Sequence, residues 1–150
     1  SGFLTQPVLS AQAVENLKKA RETLGERAKI LAGILPVVSQ RNAIFMENEV
    51  NGIHVDDAII QRFEGLDRAA GEELGLEVSV QAAKAAAPYA DGFYLMTPFN
   101  RVALMERLIA RLRTAGEIEA DDLVYLDRIA DRWIGIAEGL RQGAARVLTT

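Results

Sequence analysis

The chain has 150 residues, 49% hydrophobic and 25% charged, with a net charge of -4. This is an ordinary globular composition, and a single domain of this length can bury a substantial core. The absence of cysteine and the single histidine, His54, exclude disulfides, thiolate chemistry and histidine-based zinc sites. No basic cluster points to nucleic acid, and no apolar span or signal sequence points to a membrane, so a cytoplasmic protein is the simplest expectation.

The first part of the chain predicts two strand–helix units. A short strand over residues 3–6 precedes a helix over 11–24, with Ser10 as its N-cap and Gly25 as its stop. The apolar run 28–36 is too continuous for a half-exposed strand, and it predicts a strand buried on both faces, as in a parallel sheet. A helix with weaker periodicity follows over 41–49.

Two further units follow the same order. Residues 53–55 predict a minimal strand, after which Asp56 caps a short helix ending at Gly65. Asp67 caps a longer helix to about residue 87, which Pro88 ends. A fourth strand over 92–96 precedes a helix that carries leucines at helical spacing.

Four alternating units with short loops indicate a parallel β/α architecture. They match half of an eight-fold barrel or one small doubly wound sheet, and the pattern alone leaves both open. The tail differs, because residues 119–150 predict one amphipathic helix with a heptad seam through Trp133. We therefore expect two parts, a β/α unit over 1–115 and a helical extension over 116–150. The strand that follows Ser1-Gly2 almost at once suggests a cloning remnant or a piece cut from a longer chain.

Polar side chains gather where the predicted strands end, which is where parallel β/α folds bind ligands. Gln6 follows the first strand, Asn42 the second, and Asn100 and Arg101 the last. Amide side chains donate and accept together, so they suit a heterocycle with an amide-like edge, while Arg101 could pair with a carboxylate or stack on a ring. Asn100 could instead be only a helix cap, and Arg101 only a salt-bridge residue. No residue is a convincing general acid or nucleophile, so the chain predicts part of a binding site without catalytic machinery.

The motifs FLTQP, GILPVVSQRNAIF, NGIHVDD, RFEGLD and DGFYLMTPFNR resemble the C-terminal half of methylenetetrahydrofolate reductase in order and spacing. The likeness is greatest to the reductase module that bacteria fuse behind a homocysteine methyltransferase. It covers roughly residues 3–112, and the tail from about Gly116 has no counterpart. The resemblance implies the C-terminal half of a (β/α)8 TIM-type barrel, about four βα units, with an appended C-terminal amphipathic helix.

The resemblance also implies roles for four residues. Gln6 would be the folate-binding glutamine that pairs with the pterin edge, and Asn42 stands where the family often has a second glutamine. Phe99 would lie beside the bound ring system, and Arg101 would be an arginine of the folate site. Met46 departs from the family, because an aromatic side chain often packs on the folate at that position.

In the complete family enzyme FAD binds at the strand ends, and NAD(P)H supplies the electrons that reduce methylenetetrahydrofolate to methyltetrahydrofolate. The family's catalytic glutamate and most flavin contacts lie in the first four strands, which this sequence lacks. We therefore expect a folate-binding portion of an oxidoreductase of one-carbon metabolism, inactive alone and unable to hold FAD stably. Its partner would be the missing N-terminal half of the barrel or a second copy.

Two alternatives stand beside this expectation. The first is a non-catalytic α/β half-barrel that self-associates through its raw sheet edges and the heptad helix. The second is a different TIM-barrel enzyme that shares only the architecture.

Overall fold

The computed structural model describes residues 2–97 and 101–118 of the chain. The described residues as far as Glu117 belong to one compact unit. The predicted helical extension over 116–150, with its heptad seam, lies almost entirely outside the described residues, and so does Phe99.

The described residues form three strands and five α-helices. In chain order these are β1 (Gly2–Pro7), α1 (Ala11–Leu24), β2 (Lys29–Ile34), α2 (Gln40–Glu49), α3 (Asp57–Arg62), α4 (Arg68–Ala86), β3 (Gly92–Leu95) and α5 (Val102–Thr114). Short 3-10 turns, Gly25–Arg27 and Ala87–Tyr89, follow α1 and α4.

The three strands form one parallel sheet in the order β1-β2-β3. Crossovers between parallel strands are almost always right-handed, so strands added in one direction place their connecting helices on the same face. Burial agrees with this, because Ile30, Ala32 and Ile34 of β2 are almost fully buried together with Phe93 of β3. The described strands therefore lack the reversal of strand order that marks a doubly wound sheet.

Side-chain caps fix the start of three helices where the sequence predicts them. Ser10 Oγ accepts a hydrogen bond from Ala13 N at 3.1 Å, and Asp67 Oδ1 accepts one from Ala70 N at 2.8 Å. Ser39 does the same for α2. Asp56 occupies the N-cap position of α3, but its carboxylate does not cap that helix. Its Oδ2 accepts from Ala11 N at the start of α1 instead, at 2.8 Å.

The strand predicted over residues 53–55 is wrong, so three of the four predicted strands are present. Ile53 and Val55 alternate as strand residues do, yet both side chains enter one apolar cluster with Phe63, Val37 and Leu9. The backbone there bonds to turns and loops: Ile53 N donates to Val50 O, and Asp56 N donates to Leu9 O. The alternation reflects packing under α2 and α3, and not pairing in the sheet.

Helix α4 approaches the chain that leaves β2 more closely than a side chain would allow. A Cβ atom added at Gly75 would lie 1.9 Å from Val37 O, and one at Gly71 would lie 2.3 Å from Val38 O. One turn further along, the buried Ser79 hydroxyl donates to Gly75 O at 2.7 Å. Two glycines four residues apart therefore let the helix rest directly on the backbone of residues 37–38.

At the end of the sheet where the strands begin, the Asp91 carboxylate forms ion pairs and hydrogen bonds that link neighbouring elements. Asp91 accepts hydrogen bonds from Ile30 N and Lys29 Nζ at 2.9 and 3.0 Å, and its carboxylate also pairs with Arg21. Desolvation raises the pKa of the Asp91 carboxyl, but the hydrogen bonds from Ile30, Lys29 and Arg21 outweigh it and hold the pKa at about 2. The contacts of Asp91 therefore join α1, β2 and the start of β3.

The Gly75→Ala substitution tests the close approach. Alanine normally stabilises a helix interior by up to about 1 kcal/mol relative to glycine, whereas here we expect a loss of about 2–3 kcal/mol because backbone must move. Urea unfolding measures the difference. Gly2→Ala is the control, since its nearest new contact would be an ordinary 3.5 Å. Equal stability of Gly75→Ala and the unaltered chain would contradict the packing.

The Asp91 cluster predicts a pH dependence. The folded pKa of about 2 lies below the ordinary 3.8, so this carboxylate stabilises the fold fully above about pH 4 and loses that effect as pH falls toward about 2. Asp91→Asn should flatten the curve of unfolding free energy against pH in that window, and should cost about 1–2 kcal/mol near neutral pH. Parallel curves for the two proteins would show that Asp91 does not contribute in this way.

Candidate functional site

A β-bulge at the end of β1 presents Gln6. The register runs from Leu4 opposite Leu31 to Pro7 opposite Gly33, so Thr5 and Gln6 together stand opposite the single residue Ala32. Thr5 Oγ1 accepts a hydrogen bond from Gly33 N at 3.1 Å, which replaces the backbone partner that the bulge displaces. Bulges commonly re-aim a side chain beside a binding site, and here the exposed side chain at the bulge is Gln6.

Tyr94 ties the bulge to the far strand. Its hydroxyl crosses from β3 over Gly33 and donates to Thr5 O at 2.6 Å. Burial raises the pKa of the Tyr94 hydroxyl, so it remains a protonated donor. Gly33 leaves room for this crossing, because a Cβ there would lie 3.1 Å from both Thr5 O and the Tyr94 ring.

An open groove of about 280 Å³ lies beside the end of β1, against α1. Its apolar surface includes Val8, Leu17 and Ala20, while its polar lining includes Gln6, Asn16 and His54. Gln12 also lines it, and its amide donates to Asn16 Oδ1 at 2.9 Å. The groove therefore combines apolar surface with amides and one imidazole.

The loop after α2 forms the wall that faces Gln6. Gly52 has a positive φ of 85°, and the Gln6 amide lies against it: a Cβ at Gly52 would be 3.6 Å from Gln6 Nε2. His54 follows two residues later, and its Nδ1 lies 2.8 Å from Glu47 Oε1. Glu47 Oε2 accepts from Val55 N at 2.5 Å. These hydrogen bonds, from Val55 first and His54 second, lower the pKa of the Glu47 carboxyl.

Asn42 forms hydrogen bonds within the turn that begins α2. Its backbone N donates to the Ser39 hydroxyl at 3.1 Å, and its side-chain Oδ1 accepts from Val38 N at 3.3 Å. Its side chain is therefore engaged with the turn that begins the helix, although Nδ2 still offers two donor hydrogens.

Arg101 lies at the N-cap of α5 and its side chain turns toward α4. Nη1 is 2.8 Å from Glu72 Oε1, with the two side chains 23% and 20% exposed. This Nη1–Oε1 distance is that of an ion pair, although the buried Nη1 lacks hydrogen-bond geometry to any described residue. The attraction between the two charges depends on their separation, so we treat the two side chains as an ion pair. The neighbouring pairs Arg107–Glu72, Arg107–Glu73 and Arg111–Glu73 extend the contact between the two helices.

The structure describes three of the four predicted residues, Gln6, Asn42 and Arg101, and it engages their side chains in separate places. Gln6 lies near the end of β1 and Arg101 follows β3, and these two strands flank β2, so the strands are about 10 Å apart. The arginine is directed at α4, Asn42 is engaged in its own turn, and Phe99 lies outside the described residues. His54 lies beside Gln6, and Glu47 contacts His54, yet neither residue was predicted as part of the site. A histidine next to a glycine turn does not indicate a binding site from sequence, because only the tertiary fold brings it close to Gln6.

The described residues do not fit the diphosphate of a flavin. Such a group needs a glycine-rich loop or several cations at the strand ends. Of the two described arginines there, Arg101 is already paired with Glu72, and Arg41 is left as a single exposed cation. In residues 2–97 and 101–118, no three His, Asp or Glu side chains are grouped to hold a metal ion. Within the same residues, no helix combines the length and apolar character needed to cross a bilayer.

The fold and site define an α/β protein with a small parallel sheet and a polar groove at the carboxyl end of its first strand. A scan against protein-family models found no match to the chain, and a search of curated proteins found no significant match.

A double-mutant cycle tests whether Arg101 acts through Glu72. The variants are Arg101→Ala, Glu72→Ala and the pair, and unfolding free energies give the coupling. We expect about 1 kcal/mol, because the pair is largely shielded from solvent and lies at the upper end of the range for exposed pairs. A coupling near zero would contradict the pairing and leave Arg101 available to an anionic ligand.

Proposed function

We propose that this chain is the carboxyl-terminal part of a (β/α)8 barrel of the methylenetetrahydrofolate reductase type, and that it carries the folate-binding side of the site. The observation that carries the proposal is the position of Gln6, which the bulge presents at the carboxyl end of a parallel strand, against Gly52. This is the residue for which the resemblance implies pairing with the pterin edge.

The arrangement of the strands supports the barrel part of the proposal. Three parallel strands in sequential order, with buried side chains on the helix side, match an arc of a singly wound barrel. On the opposite face, Leu4 is 61% exposed, and Leu31 and Tyr94 are half-buried. That face would line the interior of a closed barrel.

The chain's own residues would bind and orient the substrate. The Gln6 amide can donate and accept at once, which matches the paired donor and acceptor edge of a pterin. The reductive chemistry would come from the flavin and NAD(P)H of a complete barrel. The described residues supply no fit for the flavin diphosphate, so the chain alone should not oxidise NAD(P)H.

A second candidate is a non-catalytic module that associates through the edge of β1. Its support is the exposure of Phe3 and Leu4, at 51% and 61%, on opposite faces of a strand that carries no charge. Uncharged apolar edges are the ones that pair with other strands.

Folate binding tests the proposal directly. Titration calorimetry of the chain with methyltetrahydrofolate should show weak binding, and Gln6→Ala should reduce the affinity about fivefold to tenfold by removing the paired hydrogen bonds. Gln61→Ala is the matched control, since Gln61 is an exposed amide on α3.

Equal affinity of Gln6→Ala and the unaltered chain would contradict the role of Gln6. A folded chain that binds no folate would contradict the whole proposal. In that case, sedimentation as a dimer would favour the second candidate.

A further inference from the structure

His54 is an exposed side chain held in one orientation. The imidazole is 59% exposed, yet Nδ1 lies 2.8 Å from Glu47 Oε1, and Nε2 lies 4.0 Å from Asp56 Oδ1. Both carboxylates are themselves anchored by backbone N–H groups, Glu47 by Val55 and Asp56 by Ala11. Exposed histidine side chains are ordinarily mobile, so the fixed orientation of the His54 ring calls for a physical explanation.

The anchored carboxylate also decides which ring nitrogen is available. The pKa of the Glu47 carboxyl is lowered by the bonds from Val55 and His54, so Glu47 is ionised near neutral pH and can only accept. Nδ1 therefore carries its proton whether the ring is neutral or charged. Nε2, beyond hydrogen-bond distance from Asp56, is the nitrogen left for a ligand.

His54 shares the groove with Gln6. Ala20 and the small exposed parts of Val8 and Leu17, which are 4% and 3% exposed, give a flat ring a limited apolar contact, and the amide and the imidazole both line the same space. The groove volume of about 280 Å³ lies just below the range of ligand pockets, which begins near 300 Å³. It suits a bicyclic ring and not a ligand with a long tail.

We propose that the groove binds one flat heterocyclic ring with an amide-like edge, that Gln6 and His54 both hydrogen-bond this ring, and that Glu47 is the positioning residue for His54. This inference rests on the proposed function and assigns the ring to the pterin portion of the folate. Nε2 of the neutral imidazole accepts from a ring N–H or amino group, and the Gln6 amide pairs with a donor and acceptor edge.

The single histidine of the chain gives an unambiguous spectroscopic test. The imidazole Cε1 proton is followed by NMR while free pterin, without the tail of folate, is added. We expect a saturable shift of this resonance in the unaltered chain. By calorimetry, His54→Ala and Gln6→Ala should each weaken pterin binding about fivefold to tenfold, and His54→Gln should recover most of the loss.

Glu47 has its own readout. Glu47→Ala should change the His54 resonances before any ligand is added, because the proton is then shared between the two ring nitrogens, and it should weaken pterin binding. Glu47→Gln offers one acceptor oxygen to two donors, His54 Nδ1 and Val55 N, so it should restore both only in part. Gln61→Ala should leave them unchanged, and circular dichroism confirms that each variant is folded.

The failure of this inference can be distinguished from the failure of the proposed function. If folate binds in a Gln6-dependent way while the His54 resonance stays fixed and His54→Ala binds normally, the role of His54 is overturned and the proposed function stands. If a folded chain binds neither pterin nor methyltetrahydrofolate, both are overturned.

Discussion

The close contact between α4 and the backbone of residues 37–38 sets the course of the chain around the candidate site. With Gly71 and Gly75 facing Val38 O and Val37 O, the helix leaves no room for the segment after β2 to continue over it. That segment must turn away at Pro36 and return through α2 and α3. Because the helix meets carbonyl groups and not flexible side chains, a larger residue cannot be accommodated by a rotamer change.

The path of the chain through α2 and α3 explains how the wall of the groove forms. Its apolar residues, Val37, Ile53, Val55 and Phe63, form a cluster with Leu9, and this cluster pulls the loop after α2 over the end of β1. Two hydrogen bonds of Asp56 fix the loop there: its backbone N donates to Leu9 O, and its carboxylate accepts from Ala11 N. Gly52 and His54 consequently stand opposite Gln6, although about fifty residues separate them from it in the chain.

Local sequence signals predicted the elements well, because helices and caps depend on neighbours in the chain. The caps at Ser10 and Asp67 and the buried strand before Pro36 are of this kind. The error over residues 53–55 has the opposite cause. Alternating apolar residues are compatible both with a strand and with an extended loop on a core, and only the tertiary contacts of Ile53 and Val55 decide between them.

The site was less predictable than the fold. Gln6 could be selected, since an amide after an apolar strand has little structural need, but its bulge depends on the register of β1 with β2. Two side-chain pairs at the site join separate parts of the chain: Arg101 pairs with Glu72 on another helix, and His54 pairs with Glu47 across the turn that follows α2. Such pairs follow from the placement of helices, which no short-range pattern contains.

The two ends of the sheet use polar groups in different ways, and the difference bears on the kind of ligand. At the amino end, Asp91 is matched by Arg21 and Lys29, an arrangement that stabilises the fold. At the carboxyl end, Glu72 neutralises Arg101, while Gln6 is exposed beside the groove. Recognition in the groove would rest on the pattern of neutral donors and acceptors and on apolar packing, since neither Arg41 nor Arg101, the described arginines that follow β2 and β3, lines it. A flat ring can be bound in this way, whereas an anionic tail would need a cation, and the described lining of the groove includes no lysine or arginine.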